Sequence, residues 1–374
     1  MPRYFPQGIA VANSFCNRIQ EKAFLKKSIK AHEHLVLIAP RRYGKTSLIV
    51  QVLDENNFSG ARIDFFFVLT QAEVSKAIAD GVSKIINTLL PKTKKACNKL
   101  VDSIIKLNPK LTINLLGQKL EISTKQTAER SISELLLALD QFAAQTKKPC
   151  VVIFDEFQQI GELKERHSVE AAIRHAVERS QYVSYIFCGS KHHLLNEMFS
   201  NKSRPLYHLC DLMTIDRIAT SDYYRFLNKM ARSRWRKSLV DDVINEITYL
   251  TENHPYYVNA LCRRLWHESK IPTIKDVRNV WDNYVNQQGV WIADDLSKLT
   301  LNRRKVITAL AYEPTNEPQG QAFSEKVGLT PSGIQKCLVD LQKLDVIYLN
   351  KKGYYCVLDP AVAYFIRQHS LKSM

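Results

Sequence analysis

Apolar residues occur along this chain in two rhythms. Short unbroken blocks read as buried strands: "HLVLIA" (34–39), "ARIDFFFVL" (61–69), "CVVIF" (150–154), "QYVSYIFCGS" (181–190) and "HLCDLMTIDRI" (208–218). Between them lie segments such as "KTSLIVQVL", with apolar side chains at the spacing of a helix face in Leu48, Val52 and Leu53. Strands alternating with helices predict an α/β fold on a parallel sheet of five core strands, joined by right-handed crossovers. From about Thr220 the pattern is helical throughout. It changes again near the end: "NRRKVITALAYE" and "AFSEKVG" read as helices, and "TPSGIQKCLVDLQKLDVI" as a third with Thr330 as N-cap and Pro331 at its first position. "VIYLNKKGYYCVLD" then alternates around Lys351-Lys352-Gly353, a hairpin with a basic tip.

These changes of rhythm divide 374 residues into an α/β domain at 1–218, a helical lid at 219–298 and a C-terminal domain at 299–374. The first carries an insertion at about 91–123. It is rich in lysine (Lys92, Lys94, Lys95, Lys99, Lys106, Lys110, Lys119), and within it "NPKLTINLLGQKLEIS" reads as a hairpin. It is either a basic docking arm or a solvated decoration. In the third C-terminal helix Ile334, Leu338, Leu341 and Leu344 are expected to face a core, leaving Ser332, Gln335, Lys336 and Lys343 outside.

Composition narrows the functional classes. No apolar run approaches the roughly 20 residues needed to cross a bilayer, and the N-terminal segment lacks a signal-like apolar region, so no membrane role and a cytoplasmic location are expected. Eight cysteines without C-x-x-C pairs read as reduced core thiols rather than metal ligands. A formal charge of +16 favours polyanionic partners such as nucleic acid, with a solubilising surface as the bland alternative.

The chemistry begins in "LVLIAPRRYGKTSLIVQVL". A strand, a loop and a helix surround G-K-T, the setting of a phosphate loop, although the first glycine of the usual pattern is Ala39 here. In the loop Pro40-Arg41-Arg42-Tyr43-Gly44, backbone N–H groups from Arg41 onward into the helix start at Ser47 can cradle phosphate oxygens. Lys45 is expected to reach the β- and γ-phosphates of ATP, and the Thr46 hydroxyl to ligate Mg²⁺. Arg41 and Arg42 are either cations over the phosphates or solvated side chains.

"KPCVVIFDEFQQI" supplies the complement. Asp155 at the end of its strand is expected to hold Mg²⁺ through water, and Glu156 to polarise the attacking water. A strand between the phosphate-loop strand and the Asp-Glu strand, together with that glutamate, points to the ASCE branch of P-loop NTPases. Ser190, after "YIFCG", falls where it can sense the γ-phosphate or cap the helix "KHHLLNEMF".

Six segments taken in order, "FCNRIQE", "APRRYGKTSL", "VVIFDEFQQI", "IFCGSKHHLLNEMF", "SRPLYHL" and "ENHPYYVNALCRRLW", resemble the archaeal-type ATPases of the STAND and AAA+-related group. The resemblance spans about residues 13–267. It implies that Phe15, Asn17, Arg18 and Glu21 lead into the nucleotide pocket near the adenine, and that His254 and Pro255 touch the nucleotide from a helical lid. Two positions depart from the family pattern: Asn253 stands before His-Pro-Tyr-Tyr where glycine is usual, and "HLC" follows Pro-Leu-Tyr where an arginine is frequent. Arg204 is the nearest candidate to stabilise transition-state charge. The last segment resembles a winged helix-turn-helix, in which Ser332, Gln335, Lys336 and Lys343 would face a major groove and Lys351 and Lys352 would meet phosphates.

The resemblances imply an ATP- and Mg²⁺-dependent ATPase switch of slow turnover that binds ATP and ADP and contacts double-stranded DNA. The alternative is a signalling or defence-type switch whose last domain holds a regulatory protein. A homo-oligomer is compatible with either.

Overall fold

The computed structural model describes residues 4–90, 111–116, 119–124, 128–350 and 352–370. The described chain divides into two compact units, one of residues 18–41 and 45–216, the other of residues 1–17, 42–44 and 217–374.

The first unit is built on five parallel strands: β1 (Leu35–Ile38), β2 (Ser59–Asp64), β5 (Cys150–Asp155), β6 (Val183–Gly189) and β7 (Asp211–Thr214), in the order β2-β5-β6-β1-β7. The three inner strands are buried along their whole length, which is why their sequences are unbroken apolar runs. The edge strand β2 instead alternates towards its end. Helices Gln71–Leu89, Ala128–Thr146 and Arg166–Val177 contribute Val74, Ile78, Leu135, Leu139, Val169 and Ile173 to one continuous core with the sheet.

β6 lies between β1 and β5, so the expected intervening strand is "VSYIFCG". Because β1, β5 and β6 are parallel neighbours, the loop after β1, the Asp155-Glu156 end of β5 and Ser190 after β6 all emerge at one carboxyl edge.

A small antiparallel hairpin pairs β3 (Leu111–Leu116) with β4 (Lys119–Thr124), as its alternation predicts. Lys92, Lys94, Lys95, Lys99, Lys106 and Lys110 of the same insertion lie outside the described residues.

One strand is shorter than expected. "ARIDFFFVL" leaves the sheet at Asp64, whose carboxylate accepts the Phe66 N–H at 3.0 Å and turns the chain. Thr70 then caps the next helix by accepting the Glu73 N–H, and the Glu73 carboxylate accepts the Thr70 N–H in return. Phe65 remains in the core while Phe67 is 86% exposed, so a local cap overrides a strand-like run.

The second unit is helical, with Thr220–Trp235, Asp241–Leu250, Pro255–Leu265 and Ile274–Ser297 around a core that includes Trp281 and Tyr257. Helices Leu301–Tyr312, Gln321–Val327 and Pro331–Lys343 follow, then the hairpin β8 (Ile347–Leu349) and β9 (Tyr355–Val357). A last helix, Pro360–Ser370, is not anticipated from sequence. Thr330 caps its helix by accepting the Gly333 N–H, with Pro331 in the first turn. Ile334, Leu338 and Leu341 are fully buried as expected, but Leu344 is 53% exposed. The helix ends at Lys343 and Asp345 adopts a left-handed φ of 53°, so the helical spacing no longer applies at Leu344. Val346 packs against that core instead.

Candidate active site

At the carboxyl edge of the first unit, Lys45 opens the helix Lys45–Asn56 and is buried. Its ammonium donates back to the carbonyls of Ala39 at 2.6 Å and Pro40 at 3.1 Å. The cation is therefore held against the start of its own loop rather than extended into solvent. Gly44 has φ +85°, a conformation that a Cβ would strain, and Arg42 shares the left-handed region at +66°. Ala39 is buried at the strand end, where its methyl group joins the core. Arg41 is exposed, and Thr46 and Ser47 are half-buried in the first turn of the helix.

Asp155 is buried, and its two oxygens have different partners. Oδ1 accepts the Glu156 N–H at 3.0 Å and the Cys188 thiol at 3.3 Å, while Oδ2 pairs with Arg62 Nε at 2.6 Å. Burial, and then the Asp155 charge, push the Cys188 thiol well above its ordinary range, so it stays protonated and donates.

Glu156 sits in the left-handed region at φ 51°. One of its oxygens, Oε2, accepts from Gln158 Nε2 at 2.6 Å, Ser190 Oγ at 2.7 Å and Ser190 N at 3.3 Å. Burial disfavours its charged form, but the hydrogen bonds from Gln158 and Ser190, helped by the Lys45 charge, outweigh burial and hold the carboxyl below its usual range. The group is thus an anion at neutral pH with one oxygen fixed and the other outside these three bonds.

Of the residues expected from sequence, the structure joins Glu156 and Ser190 directly and brings Lys45 within electrostatic reach of Glu156. Ser190 does not cap the following helix, whose N-cap is Lys191 without a side-chain bond. Arg204 is not gathered with them: its guanidinium pairs with the buried Glu170 of helix Arg166–Val177. Arg18 is buried, bonded to Glu21 at 3.1 Å and to the Asp216 carbonyl at 2.9 Å.

Two partners were not legible in sequence, Gln158 and Arg62. Gln158 is one of two adjacent glutamines between Phe157 and Ile160, and nothing in that pattern marks it as a partner of Glu156. Arg62 pairs with Asp155 because β2 runs beside β5 with Asp64 opposite Asp155.

In the second unit, Asn17 donates to Asp222 at 2.8 Å. The crest of the loop, Arg42–Gly44, belongs to this unit. Tyr43 is buried with its ring edge-on to His254 at 4.7 Å, and Arg42 lies over the Tyr256 ring at 4.4 Å. His254 caps helix Pro255–Leu265 by accepting the Tyr256 N–H, with Pro255 in the first turn. Arg217 also meets Tyr43, donating to its hydroxyl at 3.3 Å. The same guanidinium pairs with Glu252, donates to the Leu358 carbonyl at 3.2 Å and lies 5.1 Å from the centre of the Tyr348 ring. On helix Pro331–Lys343, Ser332, Gln335, Lys336 and Lys343 are exposed, as is Lys352 beyond β8; Lys351 lies outside the described residues. Asp340, the acid on that helix, pairs with Arg303 at 2.6 Å.

Among the described residues no helix is long and apolar enough to cross a membrane, and no group of three or more His, Cys, Asp and Glu side chains is placed to hold a metal ion.

A Walker-type ATPase of Pyrococcus abyssi superposes with a TM-score of 0.68 at 17% identity, covering 96% of this chain and 98% of that one, and so shares the fold. The Orc1 protein of Aeropyrum pernix, solved in complex with DNA, gives a TM-score of 0.46 at 12% identity over 100% and 96% of the two chains. The RuvB Holliday junction branch migration motor of Thermotoga maritima gives 0.43 at 13% over 94% and 95%. A search of curated proteins returned no match. The model of an ATPase domain predominantly from Archaea matches residues 15–261, more than half of the sequence. With a parallel sheet that carries a G-K-T loop beside an Asp-Glu strand end, the chain belongs to this archaeal-type family of P-loop ATPases.

Proposed function

We propose that the chain is a nucleotide-operated switch in which ATP binding and hydrolysis at the sheet edge change how the C-terminal module engages duplex DNA. In this reading residues 1–218 form the ATPase domain, 219–298 a helical lid and 299–374 a winged helix. The observation that carries it is the Arg217 node, where one guanidinium touches Tyr43 at the crest of the loop and both Tyr348 and Leu358 at the C-terminal hairpin. A phosphate drawn to Gly44, Lys45 and Thr46 acts on the residues that flank Tyr43 in sequence, and Arg217 passes any shift of Tyr43 to the hairpin. A ligand moves such an equilibrium only through its different affinity for the two arrangements.

The site residues take these roles in the reading. Backbone N–H groups of residues 41–47 and the Lys45 ammonium bind the phosphates. Thr46 and Asp155 are an oxygen-only donor pair of the kind that suits Mg²⁺ when phosphates and water complete its shell. Asp155 has capacity for this: among the described residues Oδ2 pairs with Arg62, and a carboxylate oxygen carries two lone pairs. When bound, the ion neutralises charge that develops on the phosphates. Glu156 orients the attacking water and draws on its proton, and Ser190 holds the carboxylate in place.

Support for DNA comes from the exposed set of Ser332, Gln335, Lys336 and Lys343, beside an Asp340 whose charge Arg303 offsets. A protein partner on the same module is favoured by its exposed apolar side chains Val339 and Leu349. Titration of a DNA duplex at several salt concentrations separates the two, because phosphate contacts give affinity that falls steeply with salt. Absence of binding at low salt would transfer the reading to a protein partner.

Coupling is the second test. A non-hydrolysable ATP analogue is expected to change DNA affinity by roughly 5- to 150-fold, and DNA to change analogue affinity by the same factor. Arg217→Lys, which keeps the charge but loses the planar fork, should shrink that factor. Equal DNA affinity with and without the analogue removes the switch.

A further inference from the structure

Gln158 is 1% exposed and is the donor nearest to the Glu156 carboxylate, at 2.6 Å. Its amide can face only one way there, because the reverse orientation would set its oxygen against Oε2 of an anion. The cost of that orientation is visible: Gln158 Oε1 is buried without a hydrogen-bond partner among the described residues. An orphaned buried carbonyl is destabilising, so a packing role alone would be served better by an apolar side chain. Gly189 makes room for it. A Cβ at position 189 would lie 1.9 Å from Gln158 Oε1, inside any permitted contact, although nothing in the Gly189 backbone demands glycine.

We propose that Gln158 is a positioning residue for ATP hydrolysis. Through Nε2 it locks the rotation of the Glu156 carboxylate, so that Oε2 is spent on Gln158 and Ser190 and the other oxygen is presented to the attacking water; Gly189 is the clearance that permits this. The inference rests on the reading of Glu156 as the water-orienting group. Gln158 touches neither nucleotide nor water in this scheme, and its contribution is the aim of another side chain, which is worth about one or two orders of magnitude where geometry is demanding.

The test uses the full chain with Gln158→Leu, close in size and without the donor, and Gly189→Ala, which displaces Gln158 from the opposite side. In both, kcat for ATP is expected to fall roughly 10-fold or more, while the Kd of a non-hydrolysable ATP analogue stays within about twofold, about three-tenths of the 1.4 kcal/mol that a tenfold shift represents. A merely structural residue would lower binding and turnover together. Introduced into Glu156→Gln, Gln158→Leu should cause no further loss, because the group it aims is already gone. If Gln158→Leu fails to fold, Gln158→Asn, which keeps an amide too short to reach, takes its place. Unchanged kcat in both variants, or parallel loss of kcat and affinity, overturns the proposal while Glu156→Gln remains inactive. Wild-type turnover in Glu156→Gln itself overturns the underlying reading, and the proposal with it.

Discussion

Lys45→Ala is expected to abolish measurable ATP binding. The ammonium is buried and already held by the Ala39 and Pro40 carbonyls, so it is fixed at the mouth of the loop before any ligand arrives and little side-chain entropy is lost on binding. When phosphate binds, the ammonium turns from these carbonyls to phosphate oxygens, and two charge-assisted hydrogen bonds, at about 1.5–3 kcal/mol each, together amount to about 3–6 kcal/mol. That is roughly a 10²- to 10⁴-fold loss in affinity. Calorimetric titration of ATP with Mg²⁺ into wild type and variant reads it directly. The same carbonyl contacts mean that alanine also removes a structural tie, so a melting curve accompanies the titration, and Lys45→Met, which keeps the aliphatic stem, checks that charge is the cause. ATP affinity within about threefold of wild type in a folded Lys45→Met protein, well under 1 kcal/mol, would remove Lys45 from the phosphate site.

The candidate site was legible in sequence where the proposed chemistry falls to neighbours along the chain. The loop from Pro40 to Ser47 and the Asp155-Glu156 pair each follow an unbroken apolar strand, and burial of both faces of an inner parallel strand leaves that signature in the sequence. Thr330 and Pro331 were legible for the same reason, since a cap is a local event. What was hidden depends on strand order and register. Arg62 meets Asp155 only because β2 is the neighbour of β5, and Gln158 can reach Glu156 only because β6 ends in a glycine beside it. Arg217 closes its contacts across more than a hundred residues, from Tyr43 to Leu358. The failures at Phe67 and Leu344 have a different origin. In each, periodicity was extended past a point where the backbone turns, at the Asp64 turn and at the left-handed Asp345.

Glu156→Gln should separate binding from chemistry. The substitution conserves shape, and the amide oxygen of the new side chain can occupy the place of Oε2, accepting from Gln158 Nε2, Ser190 Oγ and Ser190 N as the carboxylate does. Its other end is then an NH₂ group. Where the carboxylate offered the attacking water an acceptor and a negative charge, the variant offers a donor and no charge, so the water is neither oriented nor relieved of its proton. Loss of a general base in such a position costs about 10²- to 10⁴-fold. Because the three donors keep their partner, fold and ATP affinity should survive, and the loss should appear in kcat alone. Single-turnover hydrolysis at saturating ATP, beside a calorimetric Kd, measures both quantities on one preparation. A rate within about twofold of wild type, far from the ~10²-fold minimum for a lost base, would mean that another group activates the water. Reduced rate together with reduced affinity would mean that Glu156 shapes the nucleotide site as a whole, and its three hydrogen bonds would then be read as scaffolding for the strand ends of β5 and β6.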